Sequence, residues 1–212
     1  MSSRTISETL FEQLCVCSSV PCKRIMCDRV RTPDFAIWLG SVRVVCEVKQ
    51  INPNAEDLAE LKVDGVGETV GRLIPNRLRQ TLKDVSAQLK AASLVGHPTL
   101  LVVYDNTPSK AYADHFDVVQ AIFGDHCVAV SFTDDAGEAP VVFEPFFGGN
   151  RRLTPDHNTS MSALAILDGG PTGQPTLRVY HNPYASVILP PEILGVLRVT
   201  NKLLPGATTV TF

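Results

Sequence analysis

The chain has 212 residues, 44% of them hydrophobic and 19% charged, enough for one domain with a sizeable core. Its net charge of −3 argues against a protein that coats nucleic acid by bulk electrostatics. No run of about 18 apolar residues implies a transmembrane helix, so no membrane partner is expected.

The polar start, MSSRTISETLFEQL, lacks the long apolar stretch of a secretory signal, and the expectation is a soluble cytoplasmic protein. Residues 5–17 fit a helix, with Ser7 as a cap and Ile6, Leu10, Leu14 and Cys17 at helical spacing. Residues 20–30 read as a strand after a turn. DFAIWL (34–39) and SVRVVCEVKQ (41–50) read as a hairpin turning at Gly40. NPNAEDLAELK suggests a short helix capped near Asn54, and the glycine-rich DGVGETVGRLIP a loop. From Asn76 to Leu94 the stripe Leu78, Leu82, Val85, Leu89 predicts a helix. PTLLVVYDN (98–106) is a continuous apolar run, the mark of a central strand buried on both faces. A helix over 115–124 and a strand over 126–133 follow. The tail is β-rich, with a hairpin in SALAILDGGPTGQPTLRVYHNPYA. No linker splits the chain, and DDAGEA (134–139) is its weakest seam. The expected organisation is a single domain over 1–212, with a core over 5–133 and a β-rich extension over 140–212 packed on it.

Charge is uneven along this order. Residues 1–90 carry 13 Lys+Arg against 11 Asp+Glu, and residues 91–212 carry 6 against 11, so a polyanion site belongs in the first half. Of six cysteines, Cys15, Cys17, Cys22 and Cys27 cluster, but C-x-C-x4-C-x4-C does not match the paired spacing of zinc sites. They read as buried or idle thiols.

The chemistry concentrates in PDFAIWLGSVRVVCEVK, residues 33–49. Residues two apart in a strand share a face. Glu47 and Lys49 therefore point one way, and Val44, Cys46 and Val48 the other. A hairpin at Gly40 brings Asp34, at the start of its first strand, beside the end of the second. Two neighbouring carboxylates repel, and a divalent cation relieves this. Mg²⁺ or Mn²⁺ on one or two carboxylates keeps positions for a phosphate oxygen, activates water and stabilises charge on the phosphate. A nearby Lys orients that water or stabilises the developing charge. The bland alternative is a cross-strand ion pair beside a turn.

Pro33-Asp34 followed by Glu47-Val48-Lys49 resembles the PD-(D/E)xK nuclease superfamily, with its restriction-endonuclease-like fold. The second Pro-Asp, Pro155-Asp156, has no (D/E)xK after it at suitable spacing. The resemblance covers about residues 5–105. It implies an α/β (α+β) fold with an αβββαβ core, a central mixed sheet and here a β-rich C-terminal extension. It implies metal-dependent hydrolysis of nucleic acid, DNA in the first place, with Mg²⁺ or Mn²⁺ held by Asp34, Glu47 and the backbone carbonyl of Val48. Lys49 would position or activate the attacking water. Family members often add an acidic residue from the first helix. Glu8 lies about 110° from the centre of the Ile6/Leu10/Leu14 stripe and Glu12 about 150°, which favours Glu8. Gln88 resembles the polar position that supports the site from the following helix. Arg79, Lys83 and Lys90, on its other flank, are candidates for holding substrate phosphates. Cutting both strands of a duplex would favour a homodimer. The alternative function is a non-catalytic interaction module that binds protein or nucleic acid.

Other motifs carry less. GVGETVGR (65–72) has no Gly-Lys-Ser/Thr and no strand leading into it, so it is not a phosphate loop. Asp-His pairs at 114–115, 125–126 and 156–157 have no accompanying metal or triad motif and read as helix starts and turns.

Overall fold

The computed structural model describes residues 4–26, 32–55, 76–107, 114–132, 139–169 and 173–203. The expected helix near Asn54, the 65–72 loop, Cys27 and most of the 134–139 seam lie outside them.

The first helix, α1 (Ile6–Cys17), starts one residue later than predicted, and Thr5 rather than Ser7 caps it. The Thr5 hydroxyl accepts from the Glu8 N–H at 3.2 Å, and the Glu8 carboxylate accepts from the Thr5 N–H at 2.8 Å. This reciprocal pair satisfies two N–H groups that the helix start leaves open. Thr5→Ala is expected to cost about 1 kcal/mol, read as a lower urea midpoint with an unchanged slope. The buried stripe is Ser7, Leu10, Phe11, Leu14 and Cys15, whereas Ile6 is exposed and so is Cys17. The real face is rotated toward Phe11, and Glu8 sits at its edge.

β1 (Cys22–Arg24), β2 (Phe35–Leu39) and β3 (Val42–Ile51) form an antiparallel run. Gly40, at φ +62°, makes the tight β2–β3 turn that L side chains resist. The helix α2 (Asn76–Leu94) matches its sequence stripe, with Leu78, Leu82, Val85 and Leu89 all fully buried. It leads to β4 (Thr99–Asp105), every residue of which is buried, as its unbroken apolar run requires. β4 lies parallel to β3.

After α3 (His115–Phe123) the expected strand over 126–133 does not form. Two-residue strands β5 (His126–Cys127) and β6 (Val130–Ser131) pair instead with β8 (Phe146–Phe147) and β7 (Val141–Val142). β9 (Ala163–Asp168) and β10 (Thr176–His181) form the predicted hairpin, and β11 (Val199–Leu203) follows a 3-10 turn at Pro191–Val196. The hairpin is not a layer packed on a finished core. β9 pairs in parallel with β4, giving one mixed seven-stranded sheet of order β1-β2-β3-β4-β9-β10-β11.

Helices cover both faces. On one, α1 and the 3-10 turn bury Val44, Cys46, Val48, Leu100 and Val102. On the other, α2 and α3 bury Ile51, Leu101, Val103, Leu164 and Ile166. Arg79, read from sequence as a phosphate contact, is a buried clamp in this second layer. Its guanidinium donates to the Gln120 carbonyl at 2.9 Å and to Asp125 at 2.5 Å, tying α2 to the end of α3. With only 5% of its surface exposed, it does not present itself to a substrate strand.

Candidate active site

β2 ends its pairing with β3 at Phe35 opposite Cys46, one residue before Glu47. Beyond that point the β2 side of β3 has no strand beside it in the ladder. The Asp34 carboxylate takes over and accepts the Val48 N–H at 2.8 Å. In an extended strand the N–H and C=O of one residue point to the same side, so the Val48 carbonyl is directed at the edge where Asp34 lies. Burial pushes the Asp34 carboxyl up; the Val48 bond and the Lys49 charge oppose this, and the Glu8 charge adds to it.

Glu47 is fully buried. It stands on the α2 face of β3, as does Lys49, while Val44, Cys46 and Val48 pack under α1, the division that alternation predicts. One carboxylate oxygen, Oε1, accepts from Gln88 Nε2 at 2.9 Å and is ion-paired with Lys49 Nζ. The other, Oε2, is buried with no hydrogen-bond partner. Desolvation pushes the Glu47 carboxyl up to about 6; its bond to Lys49 opposes this and the nearby Asp34 charge adds to it. A buried carboxylate oxygen without a donor is costly.

These features are what a small hard cation requires. The Asp34 charge reaches Glu47, the Val48 carbonyl is directed at the edge that Asp34 occupies, and one Glu47 oxygen lacks any partner. Among the described residues no three His, Cys, Asp or Glu side chains gather to enclose a metal by themselves. A Mg²⁺ site built from two carboxylates, a carbonyl and waters does not need a third.

The helix carboxylate behaves differently from its expectation. Both Glu8 oxygens are engaged: Oε2 by Thr5, and Oε1 by Arg24 at 2.5 Å. Glu8 is therefore not offered as a free ligand. It anchors Arg24, whose charge favours ionised Asp34 and whose guanidinium lies 5.8 Å from the centre of the Phe35 ring. Arg24 was not singled out from sequence; the signal available was an antiparallel partner for β2, which puts Arg24 opposite Phe35. Glu12 faces away and pairs with Arg4 at 2.8 Å. Gln50, also missed, accepts the Ser7 N–H at 3.0 Å and fastens the start of α1 to β3. Gln88 reaches the site. Lys83 and Lys90 are exposed on α2.

The three Asp-His pairs resolve without shared chemistry. Asp114 caps α3 through the Phe116 N–H at 2.8 Å, Asp125 holds Arg79, and Asp156 and His157 lie in a turn closed by Thr154. Comparison with protein-family models, with curated proteins and with solved structures returns no match for this chain.

Proposed function

We propose that the chain is a metal-dependent nuclease of the PD-(D/E)xK type, hydrolysing phosphodiester bonds in nucleic acid, DNA first among the candidates. The observation that carries this reading is the unpartnered, fully buried Oε2 of Glu47 on the same strand face as Lys49 and beside Asp34. The element order α1, β1, β2, β3, α2, β4 supports it, being the order of a restriction-endonuclease-like core. Asp34, Glu47 and the Val48 carbonyl would hold Mg²⁺ or Mn²⁺. When bound, that ion supplies Lewis-acid stabilisation of the phosphate and a more acidic water.

The chain's own groups do the rest. Lys49, about a third exposed, extends from the buried carboxylate toward solvent, where it orients the attacking water or meets charge developing on the phosphate. Gln88 fixes the rotamer of Glu47 from α2. The Asp34 carboxylate is held by a backbone N–H and so stays in register with Val48. Arg24 and Glu8 form a positioning pair at the rim rather than part of the reacting set.

A second reading, an interaction module without catalysis, is favoured by exposed apolar side chains on the small ribbons: Phe132, Val142, Phe143 and Phe146 are half or more exposed. Plasmid, linear duplex, single-stranded DNA and RNA incubated with Mg²⁺ or Mn²⁺ separate the two. The nuclease reading expects at least one substrate to be cut in a metal-dependent way and spared by EDTA. All four left intact would leave the interaction module.

A further inference from the structure

On a different side of α2 from Gln88, a cavity of about 430 Å³ opens between the helix and the 151–158 loop. Lys83 lines it from α2, five positions and so about 140° around the helix from Gln88. Arg151, Arg152, Asp156 and His157 line it from the loop. Three cations thus face one carboxylate.

Arg4, Arg24, Lys49, Arg79 and Arg178 each have a carboxylate partner, whereas neither Lys83 nor Arg152 is ion-paired among the described residues. The Arg152 Nε is buried and has no acceptor. Arg151 is braced, donating to the backbone carbonyls of Gly148, at 3.0 Å, and Phe147. The loop is rigidly tied. Asn158, at φ +57°, donates to the Arg152 carbonyl at 2.8 Å, and its own carbonyl accepts from Asn182 at 3.1 Å. An unpaired, partly buried guanidinium beside a braced one and a lysine is arranged for a compact oxyanion, which guanidinium groups grip through paired N–H bonds.

We infer that this cavity is a binding site for a phosphate group, carried on the end of a nucleic-acid strand or on a small phosphate compound. Its volume lies in the range of small-ligand sites. The site is separate from Asp34, Glu47 and Lys49 and does not depend on cleavage.

The test uses the full chain carrying Glu47→Gln, in EDTA, so that no strand is cut. Inorganic phosphate, dAMP and a short oligothymidine with a 5′-phosphate or a 5′-hydroxyl are titrated by calorimetry. The phosphorylated strand is expected to bind about tenfold more tightly than the hydroxyl strand. Lys83→Ala and Arg152→Ala should each erase most of that preference, and Asp156→Asn should enlarge it. If phosphate and dAMP bind with the same sensitivity, the source is a small phosphate compound; if only the oligonucleotide binds, it is a strand end. The inference is overturned if the two strands bind equally and no phosphate ligand distinguishes the parent from Lys83→Glu, an exposed change whose fold circular dichroism verifies. Cleavage by the wild-type chain in Mg²⁺ is read separately, so a failure here and a failure of the nuclease reading are distinguishable.

Discussion

Lys49→Ala is expected to lower the cleavage rate about 10³-fold, and Glu47→Ala to remove cleavage altogether, with both chains still folded. The two losses have different origins. On the proposed nuclease reading Lys49 would supply one charge-bearing donor near the reacting phosphate, and deletion of one such donor costs roughly 10²–10³ in rate, about 3–4 kcal/mol of transition-state stabilisation. Its removal leaves the carboxylates in place, so metal affinity should change little. Glu47→Ala takes away the buried, unpartnered oxygen proposed to bind the cation, together with the acceptor for Gln88 and Lys49. Metal response should vanish with the rate. Initial rates on the best substrate, measured across Mg²⁺ concentration, separate the cases: Lys49→Ala keeps a saturable metal curve at a much lower plateau, and Glu47→Ala has none. Equal rates in the wild type and both variants would sink the assignment.

Glu47→Gln should make the metal-free protein more stable while abolishing its response to Mg²⁺. The folded carboxyl is raised to about 6 from an ordinary 4.5, chiefly by burial. The native state therefore holds this proton more tightly than the unfolded state does. Stability gained by protonation is complete below about 4.5 and lost as pH rises through about 6. Above that, the ionised buried group carries a penalty of about 2 kcal/mol. Gln, neutral throughout, removes that penalty at pH 8 and changes little at pH 4. Lys49 loses a partner, at small cost because it reaches solvent. Urea midpoints in EDTA at the two pH values test the sign. A variant no more stable than wild type at pH 8 would show that the carboxylate is not a burden. The same proton competes with the cation, so wild-type Mg²⁺ affinity should fall up to about tenfold for each pH unit below about 6.

What the sequence made legible follows from the length and regularity of each signal. The four-residue stripe from Leu78 to Leu89 and the unbroken run of β4 both fixed their elements closely, because burial of those residues requires one geometry. The opposed faces of β3 followed from alternation alone. By contrast, β5 to β8 are two residues each, too short for periodicity to register. That β9 joins β4, with Leu100 opposite Ala163, is a pairing across about sixty residues that no local pattern encodes. The same limit governed the site. Asp34, Glu47 and Lys49 fall together because one hairpin suffices, and Gln88 joins them on the family resemblance. Arg79 could not be told from a phosphate ligand until Asp125, 46 positions away, came into contact. Glu8 reads from sequence as the acidic residue that completes the cluster, because the sequence does not show that Thr5 and Arg24 already occupy its oxygens.

Glu47 sits on β3 opposite Leu101 of β4, the central strand of the seven-strand sheet, and between two covered layers. Amides there exchange with solvent only when the domain opens as a whole, whereas short peripheral ribbons open locally at far lower free energy. Where β3 is paired with β4 the site therefore has no private unfolding route, whereas the Val48 amide, held by the Asp34 side chain beyond the end of β2, can open locally. Deuterium uptake at the paired amides should track the global transition, and gentle denaturant should unpick the 126–147 ribbons while leaving the carboxylate geometry whole.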